Sequence, residues 1–266
     1  MSVLVVIPAR YASTRYPGKP LVTLTGATGQ ARSLVERTWR AASDVTGVDR
    51  VVVATDDGRI QTACEAFGAE VVMTSPDCAN GTERCAEALE VLGGDYDLVV
   101  NLQGDAPLTP PWFVEDLIVG LRAAPDAGIA TPVLRCDGAT LAALLADRKA
   151  GRVGGTTAVF NKERYGLYFS KEVIPFCAAT FAPDAPTPVF HHVGVYAYRP
   201  SALAAYPGWS TGPLETLEGL EQLRFLEHGE TVLCVEVDAR GREFWELNNP
   251  EDVPKLHDMM ARMGLE

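Results

Sequence analysis

The sequence predicts an α/β fold, a mainly parallel sheet flanked by helices with a smaller mixed β layer in the second half. Three observations carry this. Short Val/Leu/Ile runs alternate with helix-length segments through the first half, the pattern of consecutive βαβ units. Those runs have no polar face, as strands covered by helices on both sides require. Beyond residue 155 the strands become aromatic-rich and lie closer together in sequence, which suits a mixed sheet.

The first strand is "LVVIPA", ended by a proline-rich loop, and a helix runs from Ser33 through Ala42. "RVVVATD" is the second strand, followed by a helix from Gly58 to Phe67. "AEVVMTS" leads to a helix from Thr82 to Leu92, and "DLVVNLQGD" is the next buried strand. In the second half "TTAVFN", "YGLYFS" and "FHHVGVYAYRP" read as strands. A helix from Leu214 to His228, the strand "VLCVEVD" and a closing helix after Asn249 complete the chain. The 266 residues carry 47% hydrophobic content and no Ser/Gly/Pro-rich linker or repeat, so one domain is predicted over 1–266. Within it, residues 1–135 and 155–245 differ in strand character and read as two subregions of that domain.

Charge narrows the function. The net charge is −12, yet the first acid is Glu36, and Arg10, Arg15, Lys19 and Arg32 all precede it. A nucleic-acid binder carries a basic face over much of its surface, whereas three cations on one restricted loop suit a small polyanion such as a triphosphate. No apolar run approaches the roughly 20 residues of a membrane span. The N-terminus lacks the basic region and cleavage site of a signal peptide, which predicts a cytoplasmic protein without membrane partners. Six cysteines occur without any C-x-x-C pair, so neither a zinc site nor a disulfide framework is predicted.

The loop "IPARYASTRYPGKPL" opens at the C-terminal end of the first strand, where α/β sheets bind ligands. Polar residues end the other parallel strands on the same edge: Thr55, Asp56 and Asp57; then Asn80, Gly81 and Thr82; then Gln103, Gly104 and Asp105. Asp105 is the candidate magnesium ligand, because Mg²⁺ takes one or two carboxylates and completes its octahedron with water and substrate phosphates.

Eight stretches occur in the order and spacing of one family: "IPARYASTRYPGKPL", "VVVATDD", "MTSPDCANGTER", "VVNLQGDAP", "YGLYFSKEVIPF", "HHVGVYAYRP", "GPLETLEGLEQLRFLEHGE" and "NNPEDV". In these the chain resembles the 3-deoxy-manno-octulosonate (Kdo) cytidylyltransferases, nearly end to end. The resemblance implies a homodimeric, Mg²⁺-dependent enzyme of the nucleotide-diphospho-sugar transferase (Rossmann-like) fold. Such an enzyme joins the CMP part of CTP to an acidic eight-carbon sugar, releases pyrophosphate, and serves lipopolysaccharide or capsule biosynthesis. By the resemblance, residues 1–135 would be a nucleotide-binding half and 155–245 an acceptor-binding and dimerisation subregion, and Arg10, Arg15, Lys19 and Asp105 would be catalytic. Pro8, Ala9, Arg10, Ser75, Gly81, Thr82, Arg84 and Gln103 would line the nucleotide. Lys171, His192, Tyr196, Glu221 and Gln222 would face the small acidic acceptor, and Asp105 and Asn248 the metal.

Departures from the family pattern cluster in the sugar half and at the second metal position. Ala106 stands for a Glu, Thr157 for a Lys, Lys171 and His191 for Arg, and Asn248 for an Asp. Lys lacks the bidentate fork that Arg offers a carboxylate. A modified octulosonate, a phosphonate or a sugar phosphate is therefore an alternative acceptor, and a non-catalytic CTP-binding relative is the rival from another class.

Overall fold

The computed structural model describes residues 2–12, 16–104, 107–242, 245, 247 and 249–265. In chain order the elements are β1 (Val3–Ala9), β2 (Thr23–Thr25), β3 (Ala31–Ser33), α1 (Leu34–Ser43), β4 (Arg50–Thr55), α2 (Gly58–Ala66), β5 (Glu70–Met73), α3 (Gly81–Leu92), β6 (Leu98–Leu102) and α4 (Pro111–Ala123). They continue with β7 (Ile129–Asp137), α5 (Gly138–Lys149), β8 (Thr157–Phe160), β9 (Gly166–Ser170), β10 (Pro186–His192), β11 (Val195–Tyr198), α6 (Pro200–Ala205), α7 (Pro213–Glu218), α8 (Gln222–Glu227), β12 (Val232–Glu236) and α9 (Asp252–Met263). Two compact units result, one from Met1–Glu115 with Ala239–Glu266, the other from Asp116–Asp238.

The first unit holds four parallel strands in the order β5-β4-β1-β6. Val3 to Ile7 of β1 and Val52 to Ala54 of β4 are 0% exposed, which is why these runs carry no polar face. The predicted helices of this half are α1, α2 and α3, each with an acceptor side chain at its start. Ser33 caps α1, Asp57 caps α2 and Asn80 caps α3. The hairpin β2–β3 packs against α9 around Leu24, Leu34, Leu256 and Met260.

The second unit is a mixed sheet in the order β11-β7-β10-β8-β9, with β12 parallel to β7 on its other edge. Its mixed character is as predicted, but two predicted elements are each divided. "FHHVGVYAYRP" forms β10 and β11, both antiparallel to β7: His192 pairs with Val133, and Ala197 with Ala130. Five residues thus advance against three, and the surplus bulges out at Val193–Gly194. The helix predicted from Leu214 to His228 breaks at Gly219, which takes φ 62° in the left-handed region and closes α7. Segments α4, β7 and α5 carry no prediction from the sequence.

Candidate active site

In the first unit the registers Ala9↔Thr55, Thr55↔Met73 and Val6↔Asn101 align the C-terminal strand ends. Pro8, Ala9 and Arg10, then Asp56, then Ser75, then Gln103 and Gly104 therefore share one edge. Helix α3 starts there. A Cβ on Gly81 would lie 3.3 Å from Asn101 Nδ2, 3.4 Å from Pro8 Cγ and 3.7 Å from Gln103 Nε2. The glycine keeps this approach open, so three predicted nucleotide residues, Pro8, Gly81 and Gln103, come together around bare backbone. Gly104 also faces β1, since a Cβ on it would lie 3.5 Å from the Pro8 carbonyl oxygen.

The Ser75 loop is fastened from below. Glu87 accepts the Ser75 N–H at 2.7 Å on one oxygen and the Cys78 thiol at 2.9 Å on the other. Burial and the Glu87 carboxylate push the Cys78 thiol up to about 12. Arg84 is 3% exposed; its Nη1 donates to Thr74 Oγ1 at 2.5 Å and to the Ser75 carbonyl at 3.4 Å, and its Nη2 lies 3.6 Å from Asp56 Oδ2. Arg84 thus ties α3 to the ends of β4 and β5 and shapes the loop that carries Ser75. Thr82, at 1% exposed, is equally internal. The other carboxylate oxygen of Asp56 is buried with no hydrogen-bond partner among the described residues.

Arg10 is exposed at the end of β1, and Lys19 is half-buried directly after Gly18. The two arms of their loop are joined by Gly18 N–H donating to the Tyr11 carbonyl at 2.9 Å. Gly18 has φ 71°, a backbone region that favours glycine. Arg15, Asp105 and Asn248 lie outside the described residues, as does Ala106.

In the second unit the bulge between β10 and β11 sets His192 and Tyr196. Thr131 Oγ1 sits 2.9 Å from His192 Nε2, 2.9 Å from the Val195 carbonyl and 3.3 Å from the Val193 carbonyl, pinning the irregular turn. Burial, with His191 adjacent, lowers the His192 pKa to about 3, so the ring is neutral. Its ring lies 5.2 Å from Phe169 and 5.7 Å from Tyr196, centroid to centroid. Tyr196 donates its hydroxyl to Gln222 Oε1 at 3.1 Å. Gln222 is 1% exposed, and its Nε2 is buried without a partner among the described residues. His192, Tyr196 and Gln222 are therefore one connected group.

Lys171 follows β9, which packs against α8. Its N–H donates to Glu218 Oε2 at 2.9 Å, and Glu218 Oε1 takes the Ser170 hydroxyl at 2.6 Å. A Cβ on Gly219 would stand 3.1 Å from Lys171 Nζ, so the helix break also makes room for the ammonium. Glu221 is half-buried before α8, and its carbonyl accepts the Tyr206 hydroxyl at 3.1 Å. Arg224 in the same motif is internal: it grips Glu215 through Nε at 2.7 Å and Nη2 at 2.8 Å and stacks 4.2 Å from the Tyr206 ring. Thr157 is 0% exposed and gives its hydroxyl to the Glu172 carbonyl at 2.7 Å, while burial lowers the pKa of its strand partner His191. Sequence reasoning missed Thr131, Glu87 and Glu218. Only Glu87 left a signal, four residues after Glu83 on the helix it shares with Arg84.

An exposed arginine and a half-buried lysine on one glycine-turned loop, at the C-terminal edge of a parallel sheet, suit an anion, and comparison places the chain in the cytidylyltransferase class. The cytidylyltransferase family model matches residues 4–232. A 3-deoxy-manno-octulosonate cytidylyltransferase of Maricaulis maris is 48% identical over 99% of this chain and 99% of its own length. An 8-amino-3,8-dideoxy-manno-octulosonate cytidylyltransferase of a Shewanella species is 38% identical over 98% and 99%. A solved structure of CMP:2-keto-3-deoxy-manno-octonic acid synthetase complexed with CTP superposes with a TM-score of 0.83 at 32% identity, covering 99% of this chain and 100% of that one. The chain belongs to the 3-deoxy-manno-octulosonate cytidylyltransferase family. Among the described residues no helix is long and apolar enough to cross a membrane.

Proposed function

We propose that this protein transfers the cytidylyl group of CTP to the anomeric hydroxyl of Kdo or a Kdo-like acid and releases pyrophosphate. The observation that carries this reading is the closed cation loop at the end of β1, facing the same edge as Gly81 and Gln103. The relatives named above supply the acceptor class.

In the reaction the acceptor oxygen attacks the α-phosphorus, the bond to the bridging oxygen of the β-phosphate breaks with its electron pair leaving on pyrophosphate, and the hydroxyl proton passes to solvent. Such transfers need positioning and charge neutralisation more than covalent help. Arg10, Arg15 and Lys19 hold the β- and γ-phosphates and stabilise the leaving pyrophosphate. Pro8, Ala9, Ser75, Gly81 and Gln103 receive the cytidine, with Thr82 and Arg84 supporting them from within. Gln222 Nε2, Lys171, Glu221 and the neutral His192 with Tyr196 orient the acid.

Among the described residues no group of three or more His, Cys, Asp or Glu gathers to hold a metal. A donor set of that size is not what Mg²⁺ needs, since it takes one or two carboxylates beside nucleotide oxygens. Asp105, next after Gly104, would hold it, and Asn248, at the second metal position, would offer a neutral amide oxygen; a bound Mg²⁺ would supply charge neutralisation at the transferring phosphate. Leu167 at 63%, Leu217 at 82% and Phe176 at 91% exposed support burial of this unit's apolar surface in a homodimer.

Pyrophosphate release from CTP and Mg²⁺ with Kdo, 8-amino-Kdo and a panel of phosphonates and sugar phosphates tests the reading. Release with an octulosonate is expected. Release only with a phosphonate or sugar phosphate would overturn the acceptor, and no release with any would overturn the activity.

A further inference from the structure

The loop that carries Arg10 and Lys19 is not held by its own backbone alone. Tyr11, the residue after Arg10, lies under the Arg59 guanidinium, whose central carbon is 3.3 Å from the ring centroid. That guanidinium is fixed in turn by a two-pronged bond to Asp57, Nε to Oδ1 at 2.9 Å and Nη2 to Oδ2 at 2.6 Å. Asp57 is itself immobilised, because Oδ1 also caps α2 through the Arg59 N–H at 2.9 Å, and its own N–H reaches Thr55 Oγ1 at 3.3 Å. Gly18, the residue before Lys19, lies against the phenol end of the same ring, where a Cβ would approach to 3.0 Å. Tyr11 therefore joins both arms of the loop to the rigid start of α2.

We infer that Tyr11 and Arg59 are positioning residues that clamp the triphosphate loop onto α2, so that Arg10 and Lys19 wait at a fixed separation before CTP arrives. The inference rests on the proposed CTP site, and it deepens that reading by naming what preorganises it. A guanidinium held over a ring while forked onto a carboxylate is a geometry that only Arg supplies. Arg59 is 61% exposed and Asp57 18%, so the pair adds little to global stability but fixes a local geometry. Preorganised donors avoid the ordering cost that a loose loop meets on binding.

Steady-state kinetics of Arg59→Ala, Tyr11→Leu and Tyr11→Phe, with hydrogen exchange at the Gly18 amide, test the clamp. Arg59→Ala and Tyr11→Leu are expected to raise KM for CTP about tenfold while kcat changes less than about threefold, because no reacting atom is touched. The Gly18 amide, which donates to Tyr11, is expected to exchange faster in both, and melting temperatures to stay near wild type. Tyr11→Phe keeps the ring and should behave as wild type. Unchanged KM and unchanged Gly18 exchange in Arg59→Ala would overturn the clamp. A collapse of kcat at constant KM would do so too, because Arg59 would then touch the transferring group. Equal losses in Tyr11→Phe and Tyr11→Leu would assign the effect to the hydroxyl and likewise overturn it. Hydrogen exchange needs no substrate, so it decides the clamp even if wild-type protein released no pyrophosphate, a result that would count against the activity alone.

Discussion

Replacing Gln222 with Met separates the two things this amide can do. In the protein without acceptor, Gln222 Oε1 takes the Tyr196 hydroxyl at 3.1 Å, while the buried Nε2 has no partner among the described residues. An unsatisfied buried donor costs about 1–3 kcal/mol, and losing one neutral hydrogen bond costs a comparable amount once its partner is stranded. Met has a similar volume, so the two terms nearly cancel, and stability should move by less than about 1 kcal/mol, or a few degrees in Tm. Acceptor use should not be spared. A hydrogen bond from Nε2 to a carboxylate contributes about 1.5–3 kcal/mol, which predicts a loss of roughly 10–150-fold in kcat/KM for the acid, with KM for CTP unchanged. Gln222→Glu retains the oxygen for Tyr196 but buries a charge, so it should lose stability and acceptor use together. Urea denaturation beside acceptor-dependent pyrophosphate release provides the measurement. If Gln222→Met lost more than about 2 kcal/mol with normal acceptor kinetics, the amide would be a purely structural group and the reasoning would fail.

Arg224→Met should cost about 3–5 kcal/mol because it strands buried Glu215, whereas adding Glu215→Leu should restore most of that, as denaturant midpoints would show. His192 has its folded pKa near 3, below the ordinary value of 6.5, so the unfolded chain takes up a proton that the folded one refuses. Stability is then full above about pH 6.5 and falls with acidification by up to about 1.4 kcal/mol per pH unit toward pH 3, a slope that His192→Gln should remove from melts recorded between pH 6.5 and 4.5. Lys19→Ala should lower turnover roughly 10²-fold with an unchanged melt, and a near-normal rate would take the loop out of the mechanism. Asp105→Asn should abolish Mg²⁺-dependent turnover; full activity there would place the metal elsewhere.

The first unit was legible because its strands are buried on both faces, and such strands must be written as unbroken Val/Leu/Ile runs. Strand ends then follow from register, which is how Pro8, Ser75 and Gln103 reach one edge. Segments from Pro111 to Lys149 stayed unread for physical reasons. Pro111 starts α4 at a position where its missing N–H costs nothing, although Pro reads as a breaker. Pro132 sits inside β7, where a proline argues against a strand. The bulge at Val193–Gly194 depends on Thr131, a partner distant in sequence, so no local pattern announces it, whereas the break at Gly219 is a local glycine cap inside a run whose apolar spacing continues across it. Among site residues, the polar ends of parallel strands were readable, whereas Thr131 and Glu218 act through contacts that only folding creates.

The Glu87 bridge has a consequence for the chemical durability of the protein. Burial, aided by the Glu87 carboxylate, keeps Cys78 protonated, and burial does the same for Cys64 and Cys234, all three thiols being raised to about 12. At neutral pH such thiols are ionised to roughly one part in 10⁴ or less, and the thiolate is the species that peroxide and alkylating agents attack. The segment presenting Ser75 is therefore tethered through a sulfur that oxidants reach slowly. The half-buried Glu87 thus spares the strand-end loop at Ser75 the wear that an ionised thiol would invite there.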